Sequence, residues 1–79
     1  MSNTRTVSGT VCDRKTEGYP RRDFTFTFES VDDLLIKIDA LIENLEFRKV
    51  DVYLHDDSIF SEEEQRRLEV EWVMFGEIF

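Results

Sequence analysis

A nucleophilic site needs a thiol, hydroxyl or amine with a base in hydrogen-bond reach. The chain has one cysteine, Cys12, and one histidine, His55. They lie in or beside separate alternating segments, so only an accident of strand pairing would join them. A small strand cysteine and a loop histidine account for both, and no Cys/His catalytic pair is expected. His55-Asp56-Asp57 carries metal-ligating atoms but lacks the second histidine or the spaced carboxylates that hold a catalytic metal. A turn through Asp56, Asp57 and Ser58 is expected there instead. No G-x-x-x-x-G-K-[ST] or G-x-G-x-x-G loop is present to cradle a phosphate. With eighteen Asp and Glu among 79 residues, two neighbouring carboxylates say nothing about acid/base catalysis. The expectation is a protein that is not an enzyme and takes no metal or cofactor.

Carboxylates are the one chemistry present in bulk. Eighteen acids against ten Lys and Arg give a net charge of −8 and an isoelectric point near 4.5. Their placement is uneven: Arg5, Arg14, Lys15, Arg21 and Arg22 meet only Asp13 and Glu17 in the first 22 residues, and most of the acid lies beyond. A basic hairpin tip on a strongly acidic body is expected. Such a body repels a polyanion, which argues against direct nucleic-acid binding.

The acids also fall in two groups. Asp32, Asp39, Glu43 and Glu46 lie on the side of a central helix opposite its apolar stripe. At a rise of ~1.5 Å per residue, Asp39 and Glu43 are about 6 Å apart along the axis and Glu46 follows by roughly 4.5 Å, a spacing comparable to successive backbone phosphates. Like charges so placed cost an isolated helix about 0.2 to 0.5 kcal/mol per pair, so local stability does not explain them. Asp56, Asp57, Glu62, Glu63 and Glu64 form the second group. One reading is a solvated surface that confers solubility. The other is that the carboxylates imitate phosphates and enter the basic channel of a nucleic-acid-binding protein, a contact that would form fast and weaken in salt.

The elements that must position these residues are legible in part. Residues 4–12 alternate as a strand, with Val7, Gly9 and Val11 on one face. Residues 13–21, with Gly18 and Pro20, read as a long hairpin tip. Phe24, Phe26 and Phe28 alternate with Thr25 and Thr27 in a second strand over 22–29. Ser30 is an N-cap with Asp32 and Asp33 in the first turn. Val31, Leu34, Leu35, Ile38, Leu41, Ile42 and Leu45 then form one helical stripe. Val50, Val52 and Leu54 mark a third strand. Ser61 and Glu64 form a capping box, from which a helix over 61–75 is favoured, with Gly76 past its end. The alternative is one helical turn and a fourth strand over 68–75.

Residues 1–79 are expected to form a single compact α+β domain. Its small antiparallel sheet, of three or four strands, has one face covered by one or two helices in the order β-β-α-β-α, with β-β-α-β-β as the alternative. A chain this short buries roughly 60% of its unfolded surface, so a deep cleft would compete with the core. The longest apolar run is Trp72 to Phe75, too short for a membrane span or a signal peptide. That and the lone cysteine give the expectation of a cytoplasmic protein.

A small acidic α+β chain with no catalytic set resembles the small phage-encoded anti-CRISPR proteins, with DNA-mimicking antirestriction proteins as the next likeness. The resemblance lies in the profile of the whole chain and not in a motif. It implies a bacterial host and stoichiometric inhibition of a bacterial defence complex, such as a type I CRISPR effector, by blocking target DNA engagement or nuclease recruitment. Asp32, Asp39, Glu43, Glu46, Asp56, Asp57, Glu62, Glu63 and Glu64 would make the contact. Arg14, Lys15, Arg21 and Arg22 depart from a uniformly acidic mimic. The alternative is an acidic adaptor or regulator that docks on a partner, or forms a homodimer, through Ile59, Phe60, Trp72, Ile78 and Phe79.

Overall fold

The alternation in the first third of the chain closes into a hairpin, β1 (Arg5–Asp13) and β2 (Arg21–Phe28), in a computed structural model that describes residues 4–47 and 49–76. The strands are antiparallel, with Val7 opposite Phe26 and Gly9 opposite Phe24. Helix α1 (Val31–Asn44) follows; Ser30 accepts the Asp33 N–H as its N-cap, a bond worth about 1 kcal/mol to the helix. Then come β3 (Val50–Leu54), α2 (Glu62–Val70) and β4 (Val73–Phe75). The sheet order is β2-β1-β3-β4.

The α+β class with helices over one sheet face is what the sequence predicts, and a short final strand extends the order to β-β-α-β-α-β. Two expectations need correction. The sheet is mixed: β1 pairs β3 antiparallel, but β3 pairs β4 parallel, with Val52 opposite Val73. Parallel neighbours need a crossover of a dozen residues or more, and the segment containing α2 supplies it. Second, the helix favoured over 61–75 stops at Val70, and the strand of the alternative begins at Val73 rather than 68. Leu68 is the one buried residue of α2, so continuing the helix would have turned Val73 away from the core. As a strand residue Val73 is buried against β3, while Met74 faces outward.

The core lies between the sheet and the helices. Val7, Val11, Phe24, Phe28, Val52 and Leu54 from the strands meet Val31, Leu34 and Ile38 of α1, Leu68 of α2 and Phe60 of the preceding turn. Phe26 and Val50 are only partly buried. Phe28 and Phe60 stack with ring centroids 5.5 Å apart. Gly9 makes this packing fit, since a Cβ there would lie 2.5 Å from Phe24 Cζ and 2.5 Å from the Tyr53 carbonyl oxygen.

The outer face is hydroxyl-rich, as the alternation predicts, but it closes at one end. Thr6 and Ser8 are exposed, whereas Thr10 and Cys12 are buried, as is Asp13 at the end of β1. Asp13 has no exposed surface. Its Oδ1 accepts N–H groups from Lys15, Thr16 and Lys49, and its Oδ2 accepts the Thr16 hydroxyl. One carboxylate thus joins the hairpin tip to the segment entering β3.

Gly9→Ala should lower stability by about 1 to 3 kcal/mol through overpacking. Thermal unfolding followed by circular dichroism should show a Tm lower by at least about 4 °C.

Candidate protein-binding surface

Cys12 and His55, the thiol and imidazole weighed as a catalytic pair, do not converge. Cys12 lies opposite Asp51 in the β1–β3 pair, and His55 is four residues past Asp51, roughly 13 Å away at strand rise. The nearest approach to a triad is Asp23, Thr10 and His55: Thr10 Oγ1 lies 2.9 Å from Asp23 Oδ1 and 2.9 Å from His55 Nε2. A carboxylate only accepts, so the hydroxyl donates to Asp23 and the imidazole Nε2–H donates to the hydroxyl. The proton points away from the would-be base, and the three side chains form a bridge across the sheet. Asp56 accepts the backbone N–H and the hydroxyl of Ser58 at 2.9 and 2.6 Å, which makes the turn predicted for this segment and lowers the Asp56 pKa. Among the described residues no group of three or more His, Cys, Asp or Glu is placed to hold a metal ion, and no helix is long and apolar enough to cross a membrane.

The nine acids singled out by sequence divide into bound and unbound. Asp32 pairs with Arg67, Glu64 pairs with Arg5, and Asp56 holds its own turn. Asp39, Glu43, Glu46, Asp57, Glu62 and Glu63 are exposed. No salt bridge forms at any of these six among the described residues. Glu46 leaves the predicted helical stripe, because α1 ends at Asn44 and Leu45 caps it in an extended conformation.

The fold brings one member of the first acidic group, Asp32, beside Glu63 and Glu64 of the second. Val31 and Asp32, in the first turn of α1, share a shallow cavity with Glu63, Glu64 and Arg67 of α2. Farther along, Asp39 lines a groove with Glu71, just past the end of α2. The helices therefore run side by side in the same direction, with acids along the seam.

Arg5 fixes α2 to the sheet. Its guanidinium donates to both Glu64 oxygens at 2.9 and 2.8 Å and to the Ile59 carbonyl at 3.0 Å. It also lies 5.0 Å from the Phe28 ring centroid and 5.7 Å from that of Phe60. Glu64 completes the capping box by accepting the Ser61 N–H. The Arg5 bonds, then the Ser61 bond, hold the Glu64 carboxyl down to about 2 from an ordinary 4.5.

The α2–β4 junction carries the residue that sequence placed in the wrong company. Trp72 sits at the helix exit with φ +65°, the left-handed region in which glycine is usual and a bulky side chain is strained. The predicted helix-ending glycine, Gly76, lies beyond β4 instead. Trp72 is 84% exposed and Val70 is 75% exposed. Beside Trp72 is a groove of about 300 Å³ lined by Leu35, Ile38, Ile42, Val50, Val52 and Val73, with Asp39 and Glu71 also on it. Of the other apolar docking candidates, Phe60 is core and Ile59 is half-buried against it, because the ring of Phe60 is needed over Phe28. Ile78 and Phe79 lie outside the described residues. Sequence reading missed Glu71 and the union of Trp72 with the acids; the available signal was a tryptophan between two acid-rich segments at a helix-to-strand change.

Comparisons of the chain with protein-family models, with curated proteins and with solved structures find no match.

Two outcomes follow. A depressed folded-state pKa means that Glu64 adds stability above pH 4.5 that is lost as pH falls toward 2. Glu64→Gln should therefore lower Tm at pH 7, and the gap to the wild type should close as the wild type is titrated to about pH 2; a pH-independent gap would assign the effect to shape alone. Trp72→Gly should raise stability by about 0.5 to 1 kcal/mol, because relief of left-handed strain exceeds the added chain entropy, and urea unfolding would measure it.

Proposed function

We propose that the protein is a stoichiometric, non-catalytic binder of a basic nucleic-acid-binding surface. It inhibits a bacterial defence complex by occupying ground meant for DNA, as its likeness to phage-encoded anti-CRISPR proteins implies. The observation that carries this reading is the exposed acid along two packed helices, Asp39 and Glu43 on α1 and Glu62 and Glu63 on α2, with no ion pair to them among the described residues. Four of the bases are engaged elsewhere. Arg5 and Arg67 join α2 to β1 and α1, Arg14 holds Asp51 and the Tyr53 hydroxyl, and Lys37 lies by Asp33.

Carboxylates on a rigid scaffold give a partner of opposite sign a steered approach and a register. Exposed charges act over a Debye length of about 8 Å at physiological salt, so binding weakens steeply as salt rises. The alternative, an acidic adaptor that docks or dimerises through apolar residues, retains Trp72 as its exposed anchor among the described residues. Salt separates the two, since an apolar dock persists where a phosphate mimic lets go.

The test uses a purified type I CRISPR effector complex and its target DNA in a gel-shift assay. The protein should displace DNA at low salt in proportion to effector concentration and lose this ability at high salt. Changing Asp39, Glu43 and Glu46 together to Lys should weaken displacement at least about tenfold with unchanged circular dichroism. Full displacement by that variant, or none by the wild type in molar excess, would overturn the reading.

A further inference from the structure

Two features meet at the end of α2 that a solvated surface does not require. One is a ridge: Val70 and Trp72, three-quarters or more exposed, with Trp72 held in a left-handed conformation that costs stability. The other is the groove beside it, floored by half-buried and buried aliphatic residues of α1, β3 and β4 and flanked by two carboxylates from different elements, Asp39 and Glu71. At about 300 Å³ the groove is at the small end of ligand-sized clefts. A free small molecule of that size would fill the groove and leave the ridge bare. A protein surface engages both. The carboxylates choose its sign, because a neutral apolar segment would have to desolvate Asp39 and Glu71 without compensation.

We propose that the Trp72 ridge and the adjoining groove form the docking site for a basic, aliphatic segment of a protein partner. One aliphatic side chain of that segment enters the groove over Ile38, Ile42 and Val52. A neighbouring arginine or lysine lies on the Trp72 indole and faces Asp39 and Glu71. Cation–π contact and paired carboxylates then act on the same cation, which is where an arginine gains over a lysine. The inference rests on the acidic-surface reading and adds to it a point anchor: charge along the helices brings the partner in, and Trp72 holds it.

Trp72 is the only tryptophan in the chain, so its fluorescence reports directly on the site. The probe is a short amidated peptide with arginines and leucines at helical spacing. It is compared with a version whose leucines are serines and a version whose arginines are glutamines. The arginine–leucine peptide should shift Trp72 emission to the blue and shield it from acrylamide, with a Kd in the micromolar to millimolar range. Both altered peptides should bind at least about tenfold more weakly, as should the Asp39→Asn, Glu71→Gln protein. Trp72→Gly, followed by calorimetry, should lose binding by the same factor while unfolding at a higher urea concentration than the wild type. That opposite movement of binding and stability is not expected of a residue that only supports the fold.

Equal binding of the serine and leucine peptides, or binding with unchanged Trp72 emission, would overturn the site and leave the acidic-surface reading standing. No binding of the arginine–leucine peptide would also overturn it, without touching the effector assay, whose readout is DNA displacement. Shielding of Trp72 by protein concentration alone, with a matching rise in sedimenting mass, would assign the groove to a second copy and overturn it as well.

Discussion

The guanidinium of Arg5 is where the sheet, the aromatic core and the second helix meet. It belongs to the first residue of β1, lies on the faces of Phe28 and Phe60, and binds Glu64 through its two terminal nitrogens. Arginine suits this place because its weakly hydrated, planar cation can rest on aromatic faces and still present a two-pronged donor. α2 buries only Leu68, so polar contacts hold it: the Arg5–Glu64 pair, the Arg67–Asp32 pair and the Gln65 amide bonds to the Asp57 and Phe60 carbonyls. Nine residues of helix span about 13 Å, and Trp72 stands just past the far end. Trp72 is therefore placed between two fixed points, the Arg5–Glu64 pair at the start of α2 and the Val73–Val52 pairing that follows it.

The charge economy of the fold follows from the same contact. The four ion pairs among the described residues sit at joints: β1 to α2, α2 to α1, the hairpin tip to β3, and one turn of α1 to the next. Each removes one base and one acid, so pairing leaves the excess of eight negative charges unchanged, and apart from the buried Asp13 the acids outside these pairs are exposed among the described residues. The hairpin tip is less basic than its composition suggests, because Arg14 turns back onto Asp51 and Tyr53.

What was legible in the sequence was what local periodicity records. The Phe-Thr alternation of β2 and the stripe from Val31 to Leu45 each repeat over several residues, and each element forms where the repeat predicts. The last quarter was not legible, because helix and strand periods overlap between Leu68 and Phe75. The deciding contact, Val73 beside Val52 in a parallel pair, joins residues far apart in sequence and leaves no local trace. The same limit applies to the surface. Residue type identified the acids, but whether Asp32 and Glu64 are free depends on Arg67 and Arg5, distant in sequence and brought near by folding. Trp72 was visible as an apolar candidate; its left-handed backbone, and so its place outside the core, was not.

Strand β2 is an edge of the sheet, and its central stretch, Phe24 to Phe28, alternates phenylalanine and threonine without a charge. Such a stretch is a template for pairing with copies of itself. Lys37 of α1 reaches over and donates its ammonium to the Thr27 backbone carbonyl, which occupies an acceptor on that strand and brings a full positive charge to its rim. Arginines at 21 and 22 mark one end of the strand. Fibre formation is the hazard of leaving an uncharged edge of this kind uncovered. A charged side chain over an edge acceptor is one of the ways folded proteins blunt such an edge, and here it comes from the helix that also covers the core.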